Sequence, residues 1–353
     1  MSTEAKSPAG RLPRAWSVLQ RSSFALALLL VALAFFRASN APIWHLDTWG
    51  HWKYGEWIWQ NGRLPEHEPF SDFSEKDRPL VDTLWLSQVL GYLAYARGGA
   101  EGVALFYGLV EAVRVGLYLA AYRRVSGSLP LACAGVVLME ACRWTYFGVF
   151  RPQTMGEVFW AATLLACAPA LGPGQPVSRW AVLWLPPCFA VWANLHGAFP
   201  LGLIVLGVTL AGLLWGRFWS GLRPVVSLAD LGTRRLALML GLSALAACAN
   251  PYGPKLLIEV ARFGQNPVLQ LVSEWHPTPP LTTYASKMFI ASLVLVLLTA
   301  RFSPRRFSFG DVTLLLLFGV SAWFAARMLP WWTAVWPLVL LPHWAAIAER
   351  LAG

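Results

Sequence analysis

Leu84-Trp85-Leu86-Ser87-Gln88-Val89-Leu90-Gly91-Tyr92-Leu93-Ala94-Tyr95-Ala96 is apolar enough for a membrane but short of the length that spans one. A crossing helix needs about 20 apolar residues, and a stretch this short suits an interfacial or re-entrant helix. The topology of the whole chain hangs on it, because if 84–96 crosses, every later loop changes sides. We read it as a helix that does not cross.

The positions of the arginines support that choice. With a cytoplasmic N-terminus and 84–96 kept out of the count, apolar spans fall near 22–40, 101–121, 129–148, 153–171, 180–198, 199–216, 235–249, 286–300, 309–327 and 330–348. Arg123, Arg124, Arg179, Arg217, Arg223, Arg234, Arg235, Arg301, Arg305, Arg306 and Arg350 then all lie on the cytoplasmic side, as the positive-inside rule asks. If 84–96 crosses, the rule fails at each of these loops. The first stretch, 22–40, is read as a span and not a cleaved leader, because the basic segment before it is long and the loop after it is tied to the membrane.

Composition agrees with a chain embedded along its whole length. It is 57% hydrophobic and 13% charged, against roughly 25% charged in soluble domains. We therefore expect an all-α polytopic membrane protein of about ten transmembrane helices. Residues 1–353 form one integral-membrane domain with no separate soluble domain, and 41–100 is an outer loop holding interfacial, juxtamembrane helices. The 20 Trp suit membrane–water boundaries. The net charge of +10 is explained by topology and not by nucleic acid. Cys133, Cys142, Cys167, Cys188 and Cys248 lack paired spacing and read as small apolar residues, not as a disulfide framework.

This topology gathers nearly every polar motif on the non-cytoplasmic side. The motifs are the loop 41–83, Arg151-Pro152-Gln153, Asn194-Leu195-His196-Gly197, Asn250-Pro251-Tyr252-Gly253, Glu274-Trp275-His276-Pro277 and Arg327-Met328-Leu329-Pro330-Trp331-Trp332. Asp47 opens a helix rich in Trp49, Trp52, Tyr54 and Trp57. It reads either as an N-cap or as a general base held rigidly there. His51 lies one turn on and can face the same way. His67 and Glu68 are candidates to converge with them, and a divalent-metal site from Asp47, His51 and Glu68 is an open alternative that the spacing does not require. Arg151 and Arg327 read as snorkelling cations or as a clamp on a lipid phosphate. His196 is either a satisfied turn histidine or a donor to phosphate or sugar. Trp331 and Trp332 suit a polyprenyl chain or an aromatic belt. Glu111 and Arg114, at helical i,i+3 spacing in an apolar stretch, read as a structural pair.

The stretch Asp47-Thr48-Trp49-Gly50-His51-Trp52, then Gly62-Arg63-Leu64-Pro65-Glu66-His67-Glu68-Pro69-Phe70-Ser71 and Pro79-Leu80-Val81-Asp82-Thr83-Leu84-Trp85-Leu86, resembles the first outer loop of the GT-C superfamily of integral-membrane glycosyltransferases. With the Arg-Pro-Gln and Asn-Leu-His-Gly motifs, the pattern is most similar to a bacterial group with this loop. The resemblance covers most of the chain. It implies inverting transfer from a polyprenyl-phosphate-linked sugar at the outer face of a bacterial plasma membrane, with Asp47 as the catalytic base. His51, Glu68, Arg151, His196 and Arg327 are the candidate substrate-binding residues. The GT-C pattern of two neighbouring acids is not met, since His45 and Trp49 flank Asp47 at two residues' distance. Two alternatives stand beside this reading. A lipid-linked glycan ligase, polymerase or flippase shares the basic clamp without needing Asp47 as a base, and a secondary transporter calls for ionisable groups in mid-membrane.

Overall fold

The computed structural model describes residues 14–43, 45–72, 79–146, 149–172, 174–219 and 230–352, with side chains from Ser22 onward. The basic leader before Arg14, and Arg223 in the 217–235 loop, lie outside the described residues. The chain forms helices α1 (Arg14–Ser39), α2 (Leu46–Asn61), α3 (Trp85–Ser126), α4 (Leu129–Cys142), α5 (Pro152–Leu171) and α6 (Arg179–Leu195). These are followed by α7 (Phe199–Trp219), α8 (Leu231–Ala246), α9 (Lys255–Phe263), α10 (Tyr284–Phe302), α11 (Phe309–Phe324) and α12 (Leu329–Ala352). Among the described residues, five helical stretches are long and apolar enough to cross a membrane: Ser22–Ser39, Trp85–Ser126, Pro152–Leu171, Phe199–Trp219 and Tyr284–Phe302.

The segment 84–96 lies in the first arm of α3. Gly99 breaks that helix with φ 57° and ψ −145°, a left-handed backbone that glycine adopts at little cost. The chain then doubles back, and a Cβ on Gly102 would sit 2.4 Å from the Ala94 carbonyl oxygen. The start of this arm is bound to the end of α6, where the Trp85 indole donates to Asn194 Oδ1 (2.9 Å) and Ser87 Oγ donates to the Leu195 carbonyl (2.9 Å). Just past its end, Val103 packs in one apolar cluster with Trp52, Phe150 and Leu195. Both ends are thus tied to the same end of the bundle, so the arm lies across that end and not through the bundle.

α2 lies antiparallel on this arm. Its buried Thr48, Trp52, Gly55 and Ile58 repeat at helical spacing. Trp52 stacks on Tyr95 with ring centroids 5.2 Å apart. Contact is closest at two glycines: a Cβ on Gly55 would come 2.1 Å from the Gln88 carbonyl oxygen, and one on Gly91 2.6 Å from Trp52 Nε1. The cap differs from expectation. His45, not Asp47, stands at the cap position in extended conformation (φ −80°, ψ 127°), and Asp47 falls inside the first turn, where the helix dipole still favours a carboxylate.

α12 is the axis of the fold. Every residue from Leu329 to His343 is buried. Trp331 and Trp332 are only 2% and 1% exposed, which removes them from any lipid-facing belt. Trp332 Nε1 donates to Ser292 Oγ (2.8 Å), giving a buried indole its partner. The expected span 129–148 is also shorter than the sequence suggests: α4 stops at Cys142, and a 3-10 turn follows at Trp144–Tyr146.

A buried ionic cluster explains the charges inside apolar helices. Arg114 bonds Glu111 and Glu140, each at 2.6 Å, and Arg143 bonds Glu157 at 2.6 Å and approaches Glu111 at 3.6 Å. The expected Glu111–Arg114 pair is therefore part of a network joining α3, the end of α4 and α5. Removing one member would leave an uncompensated charge, at a cost of about 3–5 kcal/mol. The five cysteines are free.

Candidate functional site

Asp47, Arg151, Glu274 and Arg327 come from four distant parts of the chain and form one line of ion pairs. Arg151 is at the cap position of α5, in extended backbone before Pro152, a residue suited to the first helical turn. From there its Nη2 reaches Asp47 Oδ2 at 2.8 Å, and its Nη1 reaches Glu274 Oε2 at 3.0 Å. The other oxygen of Glu274 meets Arg327 Nη1 at 2.7 Å. The side chains are 51% (Asp47), 28% (Arg151), 32% (Glu274) and 31% (Arg327) exposed, so water still reaches them. Arg151 Nε is buried and has no partner.

The loop around Glu274 is fixed from the other side. Ala326 N–H donates to the His276 carbonyl (3.0 Å), and Thr278 N–H donates to that of Trp323 (2.8 Å). Tyr146 Oη holds the Ala326 carbonyl at 3.1 Å. Arg327 lies over the Trp275 ring, 5.1 Å from its centroid, a cation–π contact. Burial lowers the Arg327 pKa, and Glu274 opposes that shift.

Three histidines border this line. Arg151 Nη2 donates to His45 Nε2 at 2.9 Å, while His45 Nδ1 lies 3.3 Å from the Asp47 N–H. A neutral imidazole has one acceptor nitrogen, so His45 accepts from Arg151 or from the Asp47 N–H but not from both. His51 is pushed down to about 4, chiefly by burial, against the pull of Asp47. His196 ends α6 and accepts the Ala198 N–H through Nδ1 (3.1 Å). It is 7% exposed and pushed down to about 3 by burial first and by Arg327 second. Both rings are therefore neutral near pH 7, and the positive charge along this line is that of Arg151 and Arg327.

Of the residues singled out in the sequence, Asp47, His51, Arg151, His196 and Arg327 are brought together. Glu68 is not. It accepts from the Tyr54 hydroxyl and from the Phe70 N–H (3.0 Å). Tyr54 is seven residues beyond Asp47, or about 10 Å along the helix. Glu68 therefore anchors the loop after α2. Among the described residues no three His, Cys, Asp or Glu side chains gather as a metal-binding set, so Asp47, His51 and Glu68 do not form one. Two grooves of about 570 and 580 Å³ are lined by residues such as Leu80 and Tyr252, and Trp85 and Asn194, and the ion-pair line borders neither.

Glu274 is the residue that sequence reasoning undervalued. Its motif lies among the polar loops, but its partners are 123 and 53 residues away in the chain, a separation that no local pattern encodes. Asp82 is a buried acid in the loop before α3. Its Oδ1 accepts the Leu84 N–H (2.8 Å), its Oδ2 has no partner, and burial raises its pKa to about 6. Thr83 beside it packs against Gly197, next to His196. No protein-family model, no curated protein and no solved structure matches this chain.

Proposed function

We propose that the chain is a ten-span membrane glycosyltransferase of GT-C type, moving a sugar from a polyprenyl-phosphate donor to an acceptor hydroxyl at the extracytoplasmic face of a bacterial plasma membrane. The observation that carries this reading is the line Asp47–Arg151–Glu274–Arg327, which holds two arginines and a half-exposed carboxylate at one end of a helical bundle. Guanidinium forks suit phosphate oxygens. On this reading the acceptor oxygen attacks the anomeric carbon, Asp47 takes its proton, and the bond from that carbon to the phosphate oxygen breaks. The electron pair leaves with the phosphate, whose charge Arg151 and Arg327 neutralise. One well-placed donor of this kind is worth about 3–4 kcal/mol.

The Asp47–Arg151 pair also constrains the mechanism, because the Asp47 oxygen that meets Arg151 at 2.8 Å is occupied by that contact and must be released before it can accept a proton. A phosphate that draws Arg151 toward itself frees Asp47 for proton transfer, so donor binding and base activation are coupled. The same pair favours a second reading, a lipid-linked glycan ligase in which Asp47 only orients Arg151. Asp47→Asn separates the two. Purified protein is assayed with radiolabelled undecaprenyl-phosphate hexose and pentose donors. The expected result is retained donor binding with turnover lowered by roughly 10²–10⁴. Full turnover in Asp47→Asn removes the base and leaves the ligase reading.

A further inference from the structure

We propose that the Glu274 carboxylate is a resident stand-in for a phosphate and an autoinhibitory contact, which a lipid phosphate must displace in order to sit between Arg151 and Arg327. The inference rests on the phosphate-clamp reading above and adds to it the group that holds the clamp when no phosphate is there.

The geometry is that of one anion shared by two cations. Glu274 gives one oxygen to each arginine, Oε1 to Arg327 at 2.7 Å and Oε2 to Arg151 at 3.0 Å. Two oxygens of a phosphate group can be shared in the same way. A tetrahedral phosphate has further oxygens, and Arg151 has a donor to meet them, since its Nε is buried without a partner. Asp47 and Glu274 together balance Arg151 and Arg327, so the four side chains are neutral as a set. A phosphate that enters while Glu274 stays makes the site anionic, and like charges at this range repel. Departure of Glu274 restores the balance.

The segment that carries Glu274 points to lipid as the source of the phosphate. Residues 255–283 include a one-sided apolar helix, α9, and two 3-10 turns. Phe263, Val268, Leu271 and Leu281 on this segment are 50%, 60%, 84% and 59% exposed. A cluster of exposed apolar side chains beside paired arginines suits the lipid headgroup boundary. In that place a phosphate on a lipid tail meets the clamp from the bilayer side while its chain lies along these residues.

The test is phosphate binding in nanodiscs, with farnesyl phosphate and inorganic phosphate as separate probes, to the parent chain and to Glu274→Gln, Glu274→Ala and Arg327→Gln. Removing a carboxylate that merely orients the arginines weakens binding. Removing a competitor strengthens it. We expect both Glu274 variants to bind farnesyl phosphate about tenfold tighter than the parent, and Arg327→Gln to lose binding. Inorganic phosphate should tighten far less. Unchanged or weaker farnesyl phosphate binding in both folded Glu274 variants, with Arg327→Gln still defective, overturns the stand-in role and leaves the clamp. Equal tightening of inorganic phosphate overturns the lipid source. Absence of binding to the parent and to every variant overturns the clamp and this inference together.

Discussion

Asp82 illustrates how much a single side chain's surroundings decide. Its Oδ2 and the neighbouring Gln88 Oε1 are both buried acceptors without a donor, and the carboxyl is 7% exposed. Burial raises its pKa from 3.8 to about 6, although the Leu84 N–H and Gln88 oppose the rise. Between these two pH values the folded protein holds a proton that the unfolded chain has released, so the contribution of Asp82 to stability falls as pH rises. His51 and His196 act in the opposite sense. Their folded pKa values lie below 6.5, and stability is lost as pH falls through the unfolded histidine value. Comparing Asp82→Asn with the parent cancels the histidines. We expect Asp82→Asn to stabilise the protein at pH 7.5 by up to about 3 kcal/mol and to be nearly neutral at pH 4. Thermal unfolding in detergent at the two pH values checks this, and an equal effect at both would show that folding does not raise the Asp82 pKa.

At the scale of elements, the pairing of α2 with the first arm of α3 carries the site, because α2 bears Asp47 and His51. The pairing depends on two missing side chains. Gly55→Ala places a methyl against the Gln88 backbone, which cannot rotate away, whereas a Cβ on Gly50 meets nothing within 4 Å. Overpacking of this kind costs about 1–3 kcal/mol. Gly55→Ala should therefore lower the unfolding temperature and shift Asp47 from Arg151, while Gly50→Ala should be neutral or slightly stabilising through helix propensity. Equal melting temperatures for both variants would refute the close packing. That both stretches are helical was legible in the sequence, through the Trp spacing of 49–57 and the apolar run of 84–96, but their packing on one another was not. The burial of Trp331 and Trp332 was not legible. An apolar residue facing lipid and one facing protein leave the same pattern, and only the packing of α12 at the centre of the bundle separates them. Glu68 misled for a related reason. It lies near Asp47 in the chain, but α2 carries its partner Tyr54 two turns away. Asp47, Arg151 and Arg327 meet in one line of ion pairs because polar residues at the ends of apolar helices have few places to go.

The whole molecule has two chemically different ends, and this asymmetry is the strongest statement it makes about orientation. At one end lie the line from Asp47 to Arg327 and the crossing arm of α3. The other end is stitched by basic residues to helix termini. Arg305 Nη2 donates to the Leu171 carbonyl at the end of α5, and Arg235 Nη1 donates to the Val177 carbonyl before α6, each at 3.3 Å. Arg123, Arg124, Arg179, Arg234, Arg301 and Arg350 are exposed around the same helix ends. A cationic end faces the cytoplasm in inserted helical proteins, so the acid–arginine line should face outward. Single cysteines report this directly. Ser71, in the loop after α2, and Gln175, in the turn between α5 and α6, are both exposed. The five native cysteines are buried or partly buried, and replacing them removes any background. With a membrane-impermeant maleimide on intact cells, Ser71→Cys should label before lysis and Gln175→Cys only after it. The reverse pattern would invert the bundle. It would place the arginine clamp in the cytoplasm, within reach of soluble nucleotide phosphates, and remove the ground for an extracytoplasmic lipid-phosphate donor.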